Sequence, residues 1–347
     1  MSNEGATEDE TSVVDQHERI RRARVLRWLK GFLFVGASAL LFREALKAAG
    51  IIQSETDYTT GYFLTSLIEF FPLTTYQGVP FVDFGQYLSF IGERNLLFAS
   101  DITLLWTSPL VLGSEVWTIL AQDGFFALFG VAGNTLAIGF AGTVLGFPLA
   151  LLFGVLGSER VLPFPLNFLF RGTMSAIRAI PALVWILIYI PLAGVTPVSA
   201  VFAVATDTIG NLGRLFTDEL EEIEEGPIEA METTGANRPQ TVTFGMLSQV
   251  TTPYIAWTLY IFEINVRIAV SLGVLGAGGL GSVVETQIGL TRFANAMATL
   301  VCIFLLIISV ELFSQRIRSR LRSNTEPMSL RELVLGFPRR FAESLTR

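Results

Sequence analysis

Apolar residues are concentrated in six runs, and each run is about as long as a bilayer is thick. A membrane-spanning helix needs roughly 20 mostly apolar residues. The last run contains the uninterrupted stretch ATLVCIFLLIISV at 298–310. The pattern predicts an all-α polytopic membrane protein with about six transmembrane helices. The predicted spans are 28–49, 127–156, 173–192, 196–215, 249–273 and 293–313.

The segment 50–126, between the first two spans, has a different pattern. Its apolar pieces, such as FASDITLLWTSPLVLG at 98–113, are too short and too interrupted to cross a membrane. Such pieces are typical of helices in the membrane interface or of re-entrant segments. We therefore expect 50–126 to be an extracytoplasmic insertion, of which the sequence defines neither the role nor the structure.

Charge at the N-terminus is divided sharply. Residues 1–18 hold six acids and no Lys or Arg, whereas 19–30 hold six Lys or Arg and no acid. The first stretch has the composition of a disordered tail, and the second is typical of a cytoplasmic anchor. Residues 1–27 are thus predicted to be a cytoplasmic tail. The following apolar run lacks a small-residue cleavage site, which favours a retained helix over a signal peptide.

The distribution of Lys and Arg among the short loops predicts the orientation. With the N-terminus inside, the inside loops contain Arg160, Arg171 and the basic stretch 316–322, while the outside connections are poor in basic residues. We expect a multi-pass protein of the cell membrane with both termini cytoplasmic. Residues 323–347, where apolar and basic residues alternate, are expected to form a cytoplasmic amphipathic tail.

Composition argues against several kinds of functional site. The chain is 51% hydrophobic and only 16% charged, against about a quarter charged in soluble domains. Cys302 and His17 are the single cysteine and histidine, so an internal disulfide, a metal site of paired cysteines and a histidine-based catalytic site are disfavoured. No catalytic residues and no metal site are predicted.

The inside loop 217–248 carries the most specific local signals. Pro227 suits the first turn of a short helix, and Gly235 can end that helix in a left-handed cap. Asn237 can then cap a second helix. The loop is therefore predicted to form a rigid helical elbow, although the bland alternative is an acidic, solvated loop.

The pair Glu229-Ala230, followed by Gly235, resembles the EAA loop of ABC importer permeases. The resemblance implies that Glu229, Ala230, Gly235 and Asn237 couple the chain to a separate ATPase subunit. One departure is that the family usually ends this element with Leu-Pro, whereas this chain has Leu247-Ser248, with Pro253 five residues later.

A second motif lies at 260–285, which reads YIFEINVRIAVSLGVLGAGGLGSVVE. It resembles the phosphonate-type branch of the ABC permeases, as do IRAIPALVW at 177–185 and TGANR at 234–238. The resemblance covers about 125–322 and implies an ABC type I importer permease fold, with the core transmembrane domain at 127–322. The residues assigned to the translocation pathway are Glu263, Asn265, Arg267, Gly276, Gly278, Gly279 and Gly281.

The glycines of this motif also satisfy the G-x-G-x-x-G pattern of dinucleotide-binding folds. That pattern has its meaning only between a strand and a helix of a βαβ unit, and here it follows a membrane helix. The glycines are better explained by close helix approach and a sharp turn. A phosphate loop of the form G-x-x-x-x-G-K-[ST] is also missing from the sequence, so no cofactor is expected in this chain and ATP would be bound by a partner.

The resemblance implies the permease subunit of an importer for phosphonate or a related phosphorus oxyanion. Its implied partners are an ABC ATPase dimer, an extracytoplasmic substrate-binding protein and a second permease copy, identical or not. The same role with another cargo, such as methionine or a quaternary amine, remains open. An ion-coupled secondary transporter would show paired inverted halves, which the sequence lacks, and a membrane enzyme would need a catalytic cluster.

Ionisable residues within the spans are costly and mark either a pathway or structural pairs. Glu263 and Arg267 are four residues apart and share a helix face. Our hypothesis is that Arg267 supplies positive potential to an anion route and that Glu263 holds it in place. Asn265 should point about 200° away and contact a neighbouring helix. Arg178 and Asp207 form a possible intramembrane pair.

The predicted orientation can be tested by cysteine labelling of intact cells. A cysteine near position 80 should react with an impermeant thiol reagent from outside, because 50–126 is expected to be external. A cysteine near position 226 should not react, because 217–248 is expected to be cytoplasmic. The reverse labelling pattern would contradict the orientation.

Overall fold

The computed structural model describes residues 5–49, 60–76, 79–100 and 107–321. These residues belong to two units, 1–64 and 65–347. The first unit contains helix α1, Gly5–Ala48. The predicted first span is therefore helical. The preceding residues from Gly5 onward, which were predicted to be disordered, are helical as well. Lys47 lies in the last turn, where a positive charge interacts favourably with the helix dipole. The predicted tail 323–347 lies outside the described residues.

The segment predicted as an extracytoplasmic insertion contains short helices and one hairpin, a small exception to the all-α prediction. The two strands are antiparallel, with Leu73 opposite Val82. Asp83 then caps the next helix by accepting a hydrogen bond from Gly85 N at 2.9 Å. The elements are α2 Thr60–Glu69, β1 Leu73–Tyr76, β2 Val79–Val82, α3 Phe84–Glu93 and α4 Pro109–Gln122.

Helix α3 is part of the core and not a peripheral addition. Tyr87, Phe90 and Leu96 are buried in one cluster with Ala298 and Cys302 of the last helix. Burial raises the pKa of Tyr87, whose hydroxyl donates to the Phe70 carbonyl at 2.5 Å. This part of the segment therefore helps to fix the end of the helical bundle.

The remaining described residues of the second unit are mainly helical. A 3-10 turn at Phe125–Phe129 leads into the bundle, and π-helical turns lie at Thr241–Met246 and Gly273–Ala277. The helices are α5 Gly130–Gly157, α6 Leu166–Arg178, α7 Ala182–Ala193, α8 Pro197–Glu221, α9 Gly226–Thr233, α10 Arg238–Gln240, α11 Leu247–Leu272, α12 Gly279–Gly289 and α13 Phe293–Leu321.

Among the described residues, three helical stretches are long and apolar enough to cross a membrane, namely Phe125–Gly157, Arg238–Ala277 and Phe293–Leu321. The count becomes four if α6 and α7, which meet at 90°, form one span. The prediction of a polytopic helical protein is confirmed. The predicted fourth span, 196–215, lies within α8 except for its first residue, and α8 continues to Glu221.

The predicted third span, 173–192, is not one straight helix. It includes the end of α6 and all but the last residue of α7, and the two helices meet at 90°. Pro181 adopts an extended conformation at this junction, with φ −60° and ψ 148°. Proline lacks an N–H for the helical ladder and disfavours a helical conformation in the residue before it, so the helix is interrupted there.

Small residues allow α5 and α8 to lie close together. A Cβ atom on Gly146 would lie 2.5 Å from the Ala205 carbonyl oxygen, and one on Gly154 would lie 2.7 Å from Phe216 Cβ. Neither distance is tolerated, so larger side chains would force the helices apart. Close backbone approach through small residues is how helices associate where water provides no hydrophobic driving force.

Candidate functional site

The predicted elbow is present, and its first helix ends as the sequence indicates. Gly235 has φ +79°. Its N–H donates to Glu232 O at 3.0 Å, and Ala236 N–H donates to Met231 O at 3.2 Å. These two bonds form a Schellman motif, the common ending for a helix followed by a left-handed residue. The prediction that Gly235 caps α9 is confirmed.

The second arm of the elbow begins at Asn237. Asn237 Oδ1 accepts from Gln240 N–H at 3.1 Å, and Gln240 Oε1 accepts from Asn237 N–H at 2.9 Å. This reciprocal pair is a capping box and satisfies two donors at the start of the helix. Helix α10 then passes through the π-helical turn into α11. Ser248, where the family has proline, bonds to Phe244 O at 2.6 Å, while Pro253 lies inside α11.

The elbow has one buried side and one exposed side. Ile223 and Met246 are buried in a cluster with Phe216 and Tyr254. Glu229, Ala230 and Gly235 are all exposed, and the side chain of Phe244 is 67% exposed. The residues predicted to contact an ATPase are therefore available on one surface.

Three arginines, one in the α5–α6 connection, one in α6 and one in α10, fix the position of the elbow. Arg160 donates through Nε and Nη2 to Glu221 O at 3.1 and 3.0 Å, and Arg171 pairs with the Glu221 carboxylate. Arg238 Nη2 donates to Val161 O at 2.9 Å. The sequence indicated Arg160 and Arg171 only as markers of orientation, because their acidic partner lies far along the chain.

The structure confirms the geometry of the Glu263–Arg267 pair and adds two further charges. Arg267 Nη2 lies 2.5 Å from Glu263 Oε1, and Arg318 Nη2 lies 3.6 Å from Glu263 Oε2. Glu311 Oε2 lies 3.9 Å from Arg267 Nη2. The network thus joins α11 to α13. Sequence reasoning missed Arg318 and Glu311 because their pairing depends on the register of two antiparallel helices.

Asn265 contacts neighbouring helices, as predicted from its angle to Glu263 and Arg267. Its Nδ2 donates to Thr143 Oγ1 on α5 and to Thr208 Oγ1 on α8, both at 2.8 Å. The side chain is fully buried, so it presents no surface to an open pathway in this structure. Its assignment to the pathway stays a prediction, and the geometry supports a role in helix packing.

The possible pair of Arg178 and Asp207 is bridged by Asn211. Arg178 Nε donates to Asn211 Oδ1 at 3.2 Å, and Asn211 Nδ2 donates to Asp207 Oδ2 at 2.9 Å. The structure therefore has an amide between the two charges where the sequence suggested a direct contact. Asn211 lies one helical turn after Asp207, so their contact is local. The position of Arg178 beside them depends on how the helices pack, and for this reason the bridge could not be predicted from the sequence.

The four glycines of the 276–281 motif have different surroundings. Gly276, Gly278 and Gly279 have φ of +95°, +92° and +72°, which glycine adopts most readily. Of the four, only Gly276 is exposed. A Cβ on Gly281 would overlap the Val270 carbonyl oxygen. The predicted tight turn and close approach are present, and their part in a pathway stays a prediction.

Within the described residues, no group of three or more His, Cys, Asp or Glu side chains is arranged to hold a metal ion. The polar chemistry available in the bundle consists of ion pairs, amides and hydroxyl groups.

The architecture and these motifs agree with a family comparison. Residues 142–323 match the model of the binding-protein-dependent transport system inner membrane component. The chain belongs to this family. It is accordingly a multi-pass membrane protein.

Two relatives give further comparison. The phosphate-import permease protein PhnE of Mycolicibacterium smegmatis is 33% identical over 221 residues, which are 62% of this chain and 41% of that protein. The chain therefore matches less than half the length of this relative. A protein of Escherichia coli (strain K12) named as a cryptic phosphonate transport system permease, PhnE2, is 38% identical over 111 residues, which are 32% of this chain and 91% of that protein.

A solved structure supports the fold. The MetNI methionine ABC transporter in an inward-facing conformation has a chain that aligns with 60% of this chain and 98% of its own length. The TM-score is 0.51 and the sequence identity is 22%. At this identity the similarity concerns the fold alone, which is that of an ABC importer's membrane subunit.

We predict that Asn265 couples energetically to both threonines. In a double-mutant cycle of Asn265→Ala with Thr143→Val, the coupling should be about 0.6 kcal/mol and at most about 1.7 kcal/mol, the range for hydrogen bonds between membrane helices. The measurement is the unfolding free energy of the purified protein in detergent or bicelles.

Thr251→Val is the matched control for this cycle. Thr251 is exposed on the same helix and bonds only to Leu247 O within the helix. It should show no coupling to Asn265→Ala. Strict additivity of Asn265→Ala with both Thr143→Val and Thr208→Val would contradict the proposed contact.

Proposed function

We propose that the chain is the membrane-spanning permease subunit of an ATP-binding-cassette importer whose cargo is phosphonate or a related phosphorus oxyanion. Both relatives described above carry the names of phosphate or phosphonate permeases. The family and fold support the role of membrane component, and the names of the relatives support the class of cargo.

The observation that carries the proposal is the exposed, doubly capped elbow. Glu229, Ala230 and Gly235 lie on its open surface, and its second arm continues without a break in the chain's helical path into α11. A push on the elbow would therefore be transmitted along a continuous helix to the middle of the membrane. Closure of a separate ATPase pair on binding ATP would supply that push, so hydrolysis takes place outside this chain.

The partners follow from the same proposal. Two ATPase subunits contact the elbows of two permease copies, and an extracytoplasmic binding protein delivers the cargo. The charge distribution of the loops supports an arrangement in the cell membrane with both termini and 217–248 on the cytoplasmic side. Two identical copies are the simplest arrangement that forms a pathway on a two-fold axis.

Uptake measurements test the cargo. Deleting the gene in its own host should abolish accumulation of radiolabelled phosphate or methylphosphonate at low external concentration, and the intact gene should restore it. Uptake of methionine and of a quaternary amine should be unchanged. Loss of either of these, with phosphorus uptake intact, would contradict the proposed cargo and leave the importer role standing.

The elbow can be tested at Gly235. A Cβ at this position meets nothing within 4 Å, so the penalty of Gly235→Val comes from its positive φ alone, of about 1 kcal/mol or more. The variant should insert normally but show reduced ATPase binding and reduced uptake. ATPase binding is measured by co-purification in detergent.

Two further variants isolate the cause. Gly235→Asn should retain most activity, because asparagine tolerates the left-handed conformation. Gly172→Val changes an exposed helical glycine that also has nothing within 4 Å and should be silent. Normal ATPase binding and transport by Gly235→Val would remove the argument for the elbow.

A further inference from the structure

The Glu263–Arg267 pair lies within the predicted span 249–273. Between the two charges, Asn265 bonds to Thr143, and Thr143 lies close to the centre of the apolar stretch Phe125–Gly157. Glu263 and Arg267 are two residues either side of Asn265, or about 3 Å along the helix axis. Their further partners Glu311 and Arg318 lie toward the end of α13 that is predicted to be cytoplasmic.

The two charges differ greatly in exposure. The Glu263 side chain is 8% exposed, whereas the Arg267 side chain is 44% exposed. An arginine facing lipid at the centre of a span costs about 2.5–3.5 kcal/mol on insertion scales. The exposure of Arg267 within a predicted span therefore favours a polar environment for its guanidinium over contact with lipid.

Two further residues with polar side-chain groups lie on the same face as Arg267, beside the half-buried apolar residues Ile264 and Val270. Tyr260 is 40% exposed, and Ser271 is exposed. They lie seven residues before and four residues after Arg267, which places all three on one face of α11. We call Tyr260, Arg267 and Ser271 the polar face.

The hydrogen bonds of Arg267 leave one side of its guanidinium available. Among the described residues, the only hydrogen bond of the guanidinium runs from Nη2 to Glu263 Oε1, so Nε and Nη1 keep hydrogens for another acceptor. Glu263 is shared with Arg318 at 3.6 Å, so it does not neutralise Arg267 alone. Glu311 is the competing carboxylate, at 3.9 Å and 38% exposed.

From this geometry we propose that the polar face borders an aqueous pathway and that Arg267 binds a tetrahedral oxyanion within it. Glu263 acts as a positioning residue that fixes the guanidinium from its buried side. An incoming anion would replace the longer contact to Glu311 and leave the hydrogen bond to Glu263 intact. Guanidinium donors match phosphate-type oxygens in pairs. The identity of the ligand rests on the proposed function, whereas the aqueous pathway does not depend on it.

Access to the polar face can be measured without transport. In a Cys302→Ala background, Ser271→Cys and Tyr260→Cys should react with water-soluble charged methanethiosulfonates in reconstituted bilayers. Phe304→Cys is the matched control, because Phe304 is apolar and 62% exposed on α13 and should be inert. Polar-face cysteines that are as inert as the control would overturn the pathway.

The charge of Arg267 should be visible in the same assay. At Ser271→Cys, the rate ratio of an anionic to a cationic reagent should fall about fivefold when Arg267→Gln is added, as expected for removing one charge at about 6 Å in water. Arg267→Lys should restore most of the ratio. An unchanged ratio would overturn the anion-binding role, whatever cargo the intact protein carries.

A transport measurement separates a binding role from a merely structural pair. Glu263→Gln combined with Arg267→Gln removes both charges, while Arg318 and Glu311 keep the remaining charges balanced. The assembled complex should retain ATPase activity but take up labelled phosphate about tenfold more slowly or worse, from losing a charged hydrogen bond. Near-normal uptake by this double variant, beside active wild-type protein, would overturn the role of Arg267 and leave the proposed function intact.

Discussion

In the hydrocarbon of a bilayer, a side-chain amide has no water to bind, and its hydrogen bonds must be made within the protein. The amide of Asn265 meets this constraint at its Nδ2 group, which donates to threonines on α5 and α8, while its Oδ1 has no hydrogen-bond partner among the described residues. Each of these threonine hydroxyls donates in turn to a backbone carbonyl at 2.7 Å, Thr143 to Gly139 and Thr208 to Val204. Because their hydrogens are already engaged, the hydroxyls face Asn265 as acceptors, and the amide can have only one orientation.

This fixed inward direction determines where the charges of α11 lie. Residues two positions from Asn265 are turned by about 200°, so Glu263 and Arg267 cannot share its environment. They are placed toward α13, where Arg318 and Glu311 complete the network. The glycines that bring α5 against α8 support the same arrangement. Asn265 can reach Thr143 on α5 and Thr208 on α8 together only if the backbones of these helices lie close.

Local signals in the sequence were sufficient for the elbow and for the turn after α11. Gly235 and Asn237 have their predicted caps because each cap depends on residues within one helical turn. The contact of Asn265 with neighbouring helices also followed from helical spacing, whereas its complete burial did not. The bend at Pro181 was present in the sequence but was outweighed by the apolar length of 173–192, although a proline at that position is a local signal for a break.

Other contacts could not be predicted because they join distant parts of the chain. Tyr87 and Phe90 pack with the last helix, in a segment where no strong periodicity indicated a fold. Arg318 reaches Glu263 only because α11 and α13 are antiparallel at one particular register. Asn211 bridges Arg178 to Asp207 only because the end of α6 lies beside α8. In each case the residues are ordinary in sequence, and the partner is selected by the assembled bundle.

Stability alone does not account for the Glu263–Arg267 pair. Replacing a buried ion pair with apolar residues of similar size is often neutral or stabilising, so a pair that only joined helices could be replaced easily. Burial of a charge costs desolvation energy, and here the Glu263 carboxylate is buried while the Arg267 side chain remains 44% exposed. The asymmetry has a physical reason if the guanidinium must contact something outside the helix bundle. Glu263 then holds the guanidinium from its buried side. The helix that carries Arg267 also begins at the elbow, so that one continuous helix joins the proposed ATPase contact to the proposed anion site.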